Sequence, residues 1–405
     1  MAILRHQVTA VEGTVTTPRG FRAAGMHCGI KPEKPDLALI VSDGPAPAAG
    51  MFTQIKTRSA PVIINEMKLK SGRAQAVIIN SGNANAATGE RGFADARTMC
   101  AAAAKALGIA ADLVLVASTG VIGRPLPIEK ITTAVPSLVA ALGSDGMTAA
   151  RAILTTDAFA KTAAVEVDLG DRTIRIGGIA KGAGMIHPNM ATMIAVITTD
   201  AAVEPVVLRT AVRAAVGKTF NCISVDGDTS TSDSVFLLAN GASGSAPMTV
   251  EDDRYAAFMA GLTHVAGRLA RLIVEDGEGT TRLIEVTVRG ARSDAEARLA
   301  GRTVMSSMLV KTMFYGAELN WGRITAAVGR SGADVDPDRL GVAIGDVWIV
   351  KNGIGVPALY AQAEPLLREK EVRVTIDLGL GDGTFTGWTN DLGETYVKIN
   401  SGYLT

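Results

Sequence analysis

The 405-residue sequence predicts a mixed α/β protein, with strands and helices alternating in a large amino-terminal part and a smaller, strand-rich domain behind it. Three observations predict this. Short β-branched and aliphatic runs recur through the first 280 residues, and Ala-rich amphipathic stretches with apolar residues at helical spacing follow several of them. Glycine is abundant, at 44 residues, while aromatic residues make up only 4%, so the core has to be aliphatic and the turns tight. Beyond Thr281 the helical patterns give way to strands and turns.

Along the chain, "DLALIVS", "APVIIN", "QAVIIN" and "DLVLVAS" (36–42, 60–65, 75–80 and 112–118) each read as a strand, a short apolar run closed by turn chemistry. "FADARTMCAAAAKALGI" (93–109) reads as a helix. "VEVDLGDRTIRIGGIA" (165–180) reads as a hairpin, and a loop from Lys181 to Met190 follows it. That loop holds two glycines, Pro188 and His187, and runs into "TMIAVITTD", a buried strand beginning at Thr192. "DDRYAAFMAGLTHVAGRLARLIVED" (252–276) is a longer helix. The stretches 281–291, 338–353 and 368–390 read as strands, the last with a glycine-rich hairpin at "DLGLGDGTFTG". The domains are placed at 1–280 and 281–405. No internal repeat, low-complexity linker or disordered tail interrupts them.

Composition narrows the function. Lys and Arg total 40, Asp and Glu total 40, and neither sign forms a long run, which argues against nucleic acid or an anionic membrane and for a small-molecule partner. Cys28, Cys100 and Cys222 lie far apart without C-x-x-C spacing, which points to a reducing compartment. The amino terminus carries no basic flank ahead of a long apolar stretch, so the expectation is a soluble, cytoplasmic protein.

Several motifs are set aside on chemical grounds. "DLGLGDGTFTG" is not followed by the helix whose amino terminus would hold a pyrophosphate. "DGDTSTSDSVFL" (226–237) starts like a calcium loop, but carries Thr231 where glycine is needed and Leu237 where a bidentate glutamate belongs. His6, His27, His187 and His264 do not cluster, so no metal site is expected. Neither G-x-S-x-G nor a P-loop is present.

Thr192 carries two readings. A threonine at a strand entrance follows from β propensity alone. It is also a latent amino-terminal nucleophile, whose hydroxyl attacks the Ala191 carbonyl, moves the acyl group from nitrogen to oxygen and lets water release a new terminus. The freed α-amine, with a reference pKa of about 7.7 to 8.0, then serves as base to its own side chain. Such chemistry needs oxyanion donors, and "LVLVASTGVIG" (113–123) offers the Thr119 hydroxyl and the Gly120 amide at a strand end, where a plain turn is the alternative.

The combination of "NSGNANAATG" (80–89), "ASTGVIG" (117–123), "KGAGMIHPNMATM" (181–193), "NCISVDGDTSTSD" (221–233), "EDGEGTTR" (275–282) and "LNWGRI" (319–324) resembles the ornithine acetyltransferase family, also called glutamate N-acetyltransferase, of arginine biosynthesis. The likeness runs from about Val11 to Thr405. It implies an αββα sandwich similar to, but distinct from, that of amino-terminal nucleophile hydrolases. It also implies a precursor cut between Ala191 and Thr192 into an α chain (1–191) and a β chain (192–405), which stay together, usually as an α2β2 heterotetramer. The implied roles are Thr192 as nucleophile, Thr119 and Gly120 as oxyanion hole, and Thr155, Lys181, Thr192, Glu278, Asn400 and Thr405 as substrate contacts.

A lysine such as Lys181 suits an α-carboxylate, and Glu278 suits an ornithine ammonium. The implied reaction is ping-pong acetyl transfer from N2-acetylornithine to glutamate without a cofactor, with acetyl-coenzyme A a further donor in bifunctional members. The sequence departs from the family's usual residues at Ala87, Glu318, Leu319, Asn390 and the carboxyl end "INSGYLT". The competing readings are an aminopeptidase of related fold, in which water resolves the acyl-enzyme, and a small-molecule binding protein that stays one chain.

Overall fold

The computed structural model describes residues 7–170, 172–187 and 193–402. The first sheet is built from β1 (Val8–Val11), β2 (Phe21–Met26), β3 (Leu37–Phe52), β4 (Arg73–Asn83), β5 (Val114–Val121), β6 (Lys161–Asp168), β7 (Thr173–Lys181), β8 (Ile194–Thr199) and β9 (Ser234–Ala239). Its helices are α1 (Ala60–Lys68), α2 (Gly89–Leu107), α3 (Ile128–Ala140), α4 (Gly146–Ala152), α5 (Pro205–Lys218) and α6 (Asp253–Glu275). The strand order is β1-β6-β7-β8-β9-β3-β4-β5, with β2 paired to β3.

Strand β3 folds this sheet over on itself. Residues Leu37 to Val41 pair with β2 and β4, whereas Ala48 to Phe52 pair with β9, and the β3–β4 register breaks between Val41 and Ala46. The break spans Ser42 to Pro45, where Pro45 has no amide proton to keep a ladder continuous, and Pro47, just beyond it, has none either. The two halves then face each other. Val77 and Ile79 of β4 share an inner core with Ile179, Val196 and Phe236 from the other half. Their neighbours Ala76 and Ile78 point outward, against Met99 and Ala103 of α2 and Val135 and Leu138 of α3. On the far side Ala195, Ile197 and Leu237 pack under Leu208 of α5 and Phe258, Leu262 and Leu269 of α6. The layer order is therefore helix, sheet, sheet, helix, the αββα sandwich implied by the resemblance. Burial on both faces explains why β4 and β5 read as unbroken apolar runs. Although α6 is long and apolar enough to cross a membrane, it is a core helix of this sandwich.

The second sheet takes β10 (Leu283–Ala291), β11 (Gly341–Ile344), β12 (Val347–Lys351), β13 (Ile354–Gly355), β14 (Glu371–Asp377) and β15 (Gly383–Asn390), in the order β13-β12-β11-β14-β10-β15. Around it lie α7 (Asp294–Met305), α8 (Met308–Gly316), α9 (Trp321–Gly329) and α10 (Tyr360–Ala363), and α11 (Glu394–Gly402) follows β15. Ala300 and Val304 of α7, Phe314 of α8 and Ile324 of α9 share a core with Val286, Val288 and Ile376 of this sheet.

Four readings of the sequence are corrected. "APVIIN" is the start of α1, not a strand, with Pro61 in the first turn; the Asn65 side chain bonds Val116 N at 3.0 Å and Val116 O at 2.6 Å, so the helix satisfies the edge of β5. The segment beyond Thr281 is not mostly strands and turns, since four of the helices just named interleave with its strands before α11 closes the chain. "DLGLGDGTFTG" is not a hairpin, because β14 and β15 lie on opposite sides of β10 and never pair. Lys181 is the last residue of β7, not part of a polar loop. Strand β8 begins at Ile194; Ala191 and Thr192 lie outside the described residues.

Candidate active site

A pocket opens where the two halves of the folded sheet end together. Strands β4 and β5 run parallel and both finish there, Ser81 opposite Thr119 and Gly82 opposite Gly120. The register slips at Gly82 and Asn83, a bulge that turns the strand ends toward the cleft. Gly120 has φ +128°, and a Cβ there would stand 2.4 Å from the Gly82 carbonyl carbon, so glycine is required by both conformation and space. The Thr119 side chain is buried and its hydroxyl lies 3.5 Å from the Lys181 ammonium.

Behind this wall sits a buried charge cluster. Asp157 Oδ1 accepts the Gly182 amide at 2.6 Å and Lys161 Nζ at 2.7 Å. Its Oδ2 accepts the Thr155 amide at 2.9 Å and lies 3.9 Å from Lys181 Nζ. Lys161 also donates to Asp276 at 2.5 Å. Burial pushes the Asp157 carboxyl up, but Lys181 and Lys161 outweigh it and hold the group well below the usual carboxylate range. Burial pushes Lys181 down, against the pull of Asp157. One carboxylate thus fixes the backbone at Thr155 and Gly182 and the charge of Lys181.

The opposite wall comes from the end of the chain. Glu278 is buried in the turn after α6, its amide donating to Ala183 O at 2.8 Å, and Asn400 of α11 donates to its Oε2 at 2.7 Å. Gly184 leaves room for this carboxylate, because a Cβ there would stand 2.6 Å from the Glu278 carboxyl carbon. One turn before Asn400, the Tyr396 hydroxyl donates to Asp226 Oδ2 at 3.2 Å. Asp226 also accepts the amides of Met185 and Ile186 at 2.6 and 2.9 Å, which holds Met185 at φ +58°. Burial raises the Asp226 carboxyl above its ordinary value despite these donors. Nearby, His187 is held by Ser224 Oγ at 3.1 Å and by Arg302, and burial with the Arg302 charge lowers its pKa to about 4. It is a neutral structural side chain at neutral pH.

Thr119, Gly120, Thr155, Lys181, Glu278 and Asn400 all line this one pocket, although 281 positions separate the first from the last. The other anticipated residues, Ala191, Thr192 and Thr405, lie outside the described residues.

The sequence model of the ArgJ family matches residues 22–405. An arginine biosynthesis bifunctional protein ArgJ of Geobacter sulfurreducens is 50% identical over 390 residues, covering 96% of this chain and 99% of its own. The chain belongs to the ArgJ family. An ArgJ of Symbiobacterium thermophilum is 48% identical and covers 97% of this chain and 99% of its own. Among solved structures, an ornithine acetyltransferase of Mycobacterium tuberculosis complexed with ornithine is 40% identical over 45% of this chain and 98% of its own, with a TM-score of 0.43.

In this ArgJ-family chain, sequence reasoning had passed over Asp157, Asp226 and Tyr396. Asp226 stood in a quoted motif, where it was weighed only as a calcium ligand. Asp157 sits in "TTDAFAK", and an acidic residue four positions before a lysine at a strand start is the signal that could have found it.

Proposed function

We infer that the chain is the acetyltransferase of arginine biosynthesis that moves an acetyl group from N2-acetylornithine to glutamate through an acetyl-threonine on Thr192. The observation that carries the site assignment is the convergence of Thr119, Gly120, Thr155, Lys181, Glu278 and Asn400 on one pocket. In the first half-reaction Thr192 Oγ, deprotonated by the α-amine of the same residue, attacks the acetyl carbonyl. The negative charge that develops on oxygen falls to the Thr119 hydroxyl and the Gly120 amide. Ornithine leaves with the proton. The amine of glutamate then attacks the ester in the same frame. Among the described residues three carboxylates, Glu278, Asp226 and Asp228, line the pocket with a single lysine, a balance that favours a diamino acid donor. Lys181 takes the α-carboxylate common to donor and acceptor. Glu278, bridged to Asn400, takes the ornithine ammonium, and Thr405 supplies a contact from the end of the chain.

The active form is the pair of chains 1–191 and 192–405, assembled as an α2β2 heterotetramer in the cytoplasm, and the segment 281–405 forms a domain of its own. Two measurements test this. Denaturing electrophoresis with amino-terminal sequencing is expected to find chains of 191 and 214 residues and threonine as the new terminus. Purified protein is expected to acetylate glutamate from acetylornithine, and Thr192→Ala to remain uncut and inactive. A parallel assay with acetyl-coenzyme A decides whether it is also a donor. Full activity in an uncut protein would overturn the nucleophile assignment.

A further inference from the structure

The proposed reaction asks two opposite things of one end of the pocket. The donor brings a side-chain ammonium and the acceptor a side-chain carboxylate, while both bring the same α-carboxylate for Lys181. Among the described residues the lining is weighted against the acceptor, since Glu278, Asp226 and Asp228 are acidic and Lys181 is the one lysine. Asn400 does not make up the difference. Its two amide protons are already given, one to Glu278 Oε2 at 2.7 Å and one to the Tyr396 carbonyl at 3.0 Å. The other side chain that α11 contributes to the lining is Tyr396.

The Tyr396 hydroxyl donates to Asp226 Oδ2 at 3.2 Å. Burial and the carboxylates of Asp226, Glu278 and Asp228 drive its pKa up, so it stays a neutral hydroxyl, with one proton to give and lone pairs that accept. Its partner is fixed in place by the backbone. Asp226 Oδ1 accepts the amides of Ile186 at 2.9 Å and Asp228 at 3.2 Å, and Oδ2 accepts the Met185 amide at 2.6 Å. Burial raises this carboxyl above its ordinary value; the three amides oppose the rise and the Asp228 charge adds to it. Lys311 of α8 is the basic group that acts on Asp226 through space. Asp226 is therefore a carboxyl that can change its charge without changing its position.

We propose that the Tyr396–Asp226 pair lets one subsite take both the side-chain ammonium of the donor and the side-chain carboxylate of the acceptor, a role that rests on the acetyl-transfer reading given above. With acetylornithine bound, Asp226 is a carboxylate and Tyr396 donates to it. The Tyr396 oxygen then accepts from the substrate ammonium, which Glu278 also holds. With glutamate bound, one proton from solvent goes onto Asp226 Oδ2, which donates it to the Tyr396 oxygen and keeps a lone pair for the Met185 amide. The Tyr396 proton turns to the side-chain carboxylate. When acetylglutamate leaves, the proton taken up from solvent returns there.

The test measures the two half-reactions apart. Acetylornithine alone loads the enzyme, read as the added mass of an acetyl group, and glutamate is then titrated onto the isolated acetyl-enzyme. Tyr396→Phe leaves Asp226 a bare carboxylate, which attracts an ammonium and repels a carboxylate. It is expected to raise the glutamate concentration for half-maximal deacetylation by about 10- to 10²-fold, the loss of one hydrogen bond to a charged group, and to shift the acetylornithine concentration for half-maximal loading several-fold less. Asp226→Asn is the mirror image, because an amide donates to Tyr396 and never ionises, and it is expected to weaken acetylornithine more than glutamate. If the lost acceptor for the Met185 amide keeps that variant from folding, Tyr396→Phe decides alone. Equal losses in the two half-reactions of Tyr396→Phe, as a merely structural tyrosine would give, or no loss in either, overturn the proposal alone, as does a folded Asp226→Asn that weakens glutamate more. Wild-type protein that takes up no acetyl group from acetylornithine overturns the acetyl-transfer reading and the proposal with it.

Discussion

Gly120→Ala tests the oxyanion assignment most directly. The new Cβ would stand 2.4 Å from the carbonyl carbon of Gly82 and 2.6 Å from the amide nitrogen of Asn83, against an ordinary contact that starts near 3.4 Å. Both are backbone atoms of the neighbouring strand, so no rotamer relieves the overlap, and β4 and β5 must separate locally by about 1 Å to reach that contact. Overpacking of this kind costs about 1–3 kcal/mol, and φ +128° adds about 1–3 kcal/mol of backbone strain for a residue with a Cβ. The catalytic effect is larger than the loss of stability suggests. A donor displaced by about 1 Å from the developing oxyanion forfeits roughly 10²-fold, and one removed altogether roughly 10²- to 10³-fold. Folded Gly120→Ala is therefore expected to lose about 10²- to 10³-fold in kcat with KM little changed, measured as acetyl transfer from acetylornithine to glutamate beside a thermal melt. Gly123→Ala is the control: its φ is also positive, at +80°, but its Cβ would meet nothing within 4 Å, so it carries strain without overlap. Wild-type kcat in Gly120→Ala, or an equal loss in Gly123→Ala, would refute the reasoning.

Three further outcomes follow from the same geometry. Thr119→Ala removes one donor and is expected to lower kcat by roughly 10²- to 10³-fold; an unchanged kcat takes Thr119 out of the oxyanion hole. Gly184→Ala sets a methyl 2.6 Å from the Glu278 carboxyl carbon and pushes that carboxylate off Asn400. Its effect is expected in the KM for acetylornithine more than in kcat, and a selective loss of kcat would count against Glu278 as a binding group. Lys311 is fully buried, bonded to Thr389 Oγ1 at 3.0 Å and to the Asn390 carbonyl and side chain, and burial lowers its pKa to about 7 against the pull of Asp226 and Asp391. Because the unfolded value is about 10.4, the unfolded chain binds more protons between pH 7 and 10, so this group makes stability rise with pH across that window and fall again as the pH drops to 7. Urea midpoints are expected to show that rise in the wild type and to lose it in Lys311→Met.

Thr119, Gly120, Lys181 and Glu278 were picked out through the motifs that carry the resemblance, and the structure brings them to one pocket. The αββα layering was legible through the resemblance, and the doubly buried strands β4 and β5 through their apolar runs. Other features were not. "APVIIN" has too few residues for its period to separate helix from strand, and the choice was made by packing on β5 and by Asn65 reaching the Val116 backbone. The glycine-rich segment before β15 looked local, but β14 and β15 are separated by β10, a pairing that lies 88 to 107 residues away in the chain.

The sequence by itself determined the alternation of strands and helices, the glycine at position 120 and the family to which the chain belongs, because turn chemistry, hydrophobic period and motif order are properties of neighbouring residues. Only the tertiary structure decided which buried charges meet. Asp157, Lys161, Lys181 and Asp276 form one cluster, and Asp233 comes to rest beside the start of β8. The physical reason is that a charge's partner is chosen by strand register and by the fold of the sheet at β3. Strand register leaves no local trace in the chain, and the prolines at the β3 break do not say which distant charges it brings together, whereas removal from water makes each such pairing energetically decisive.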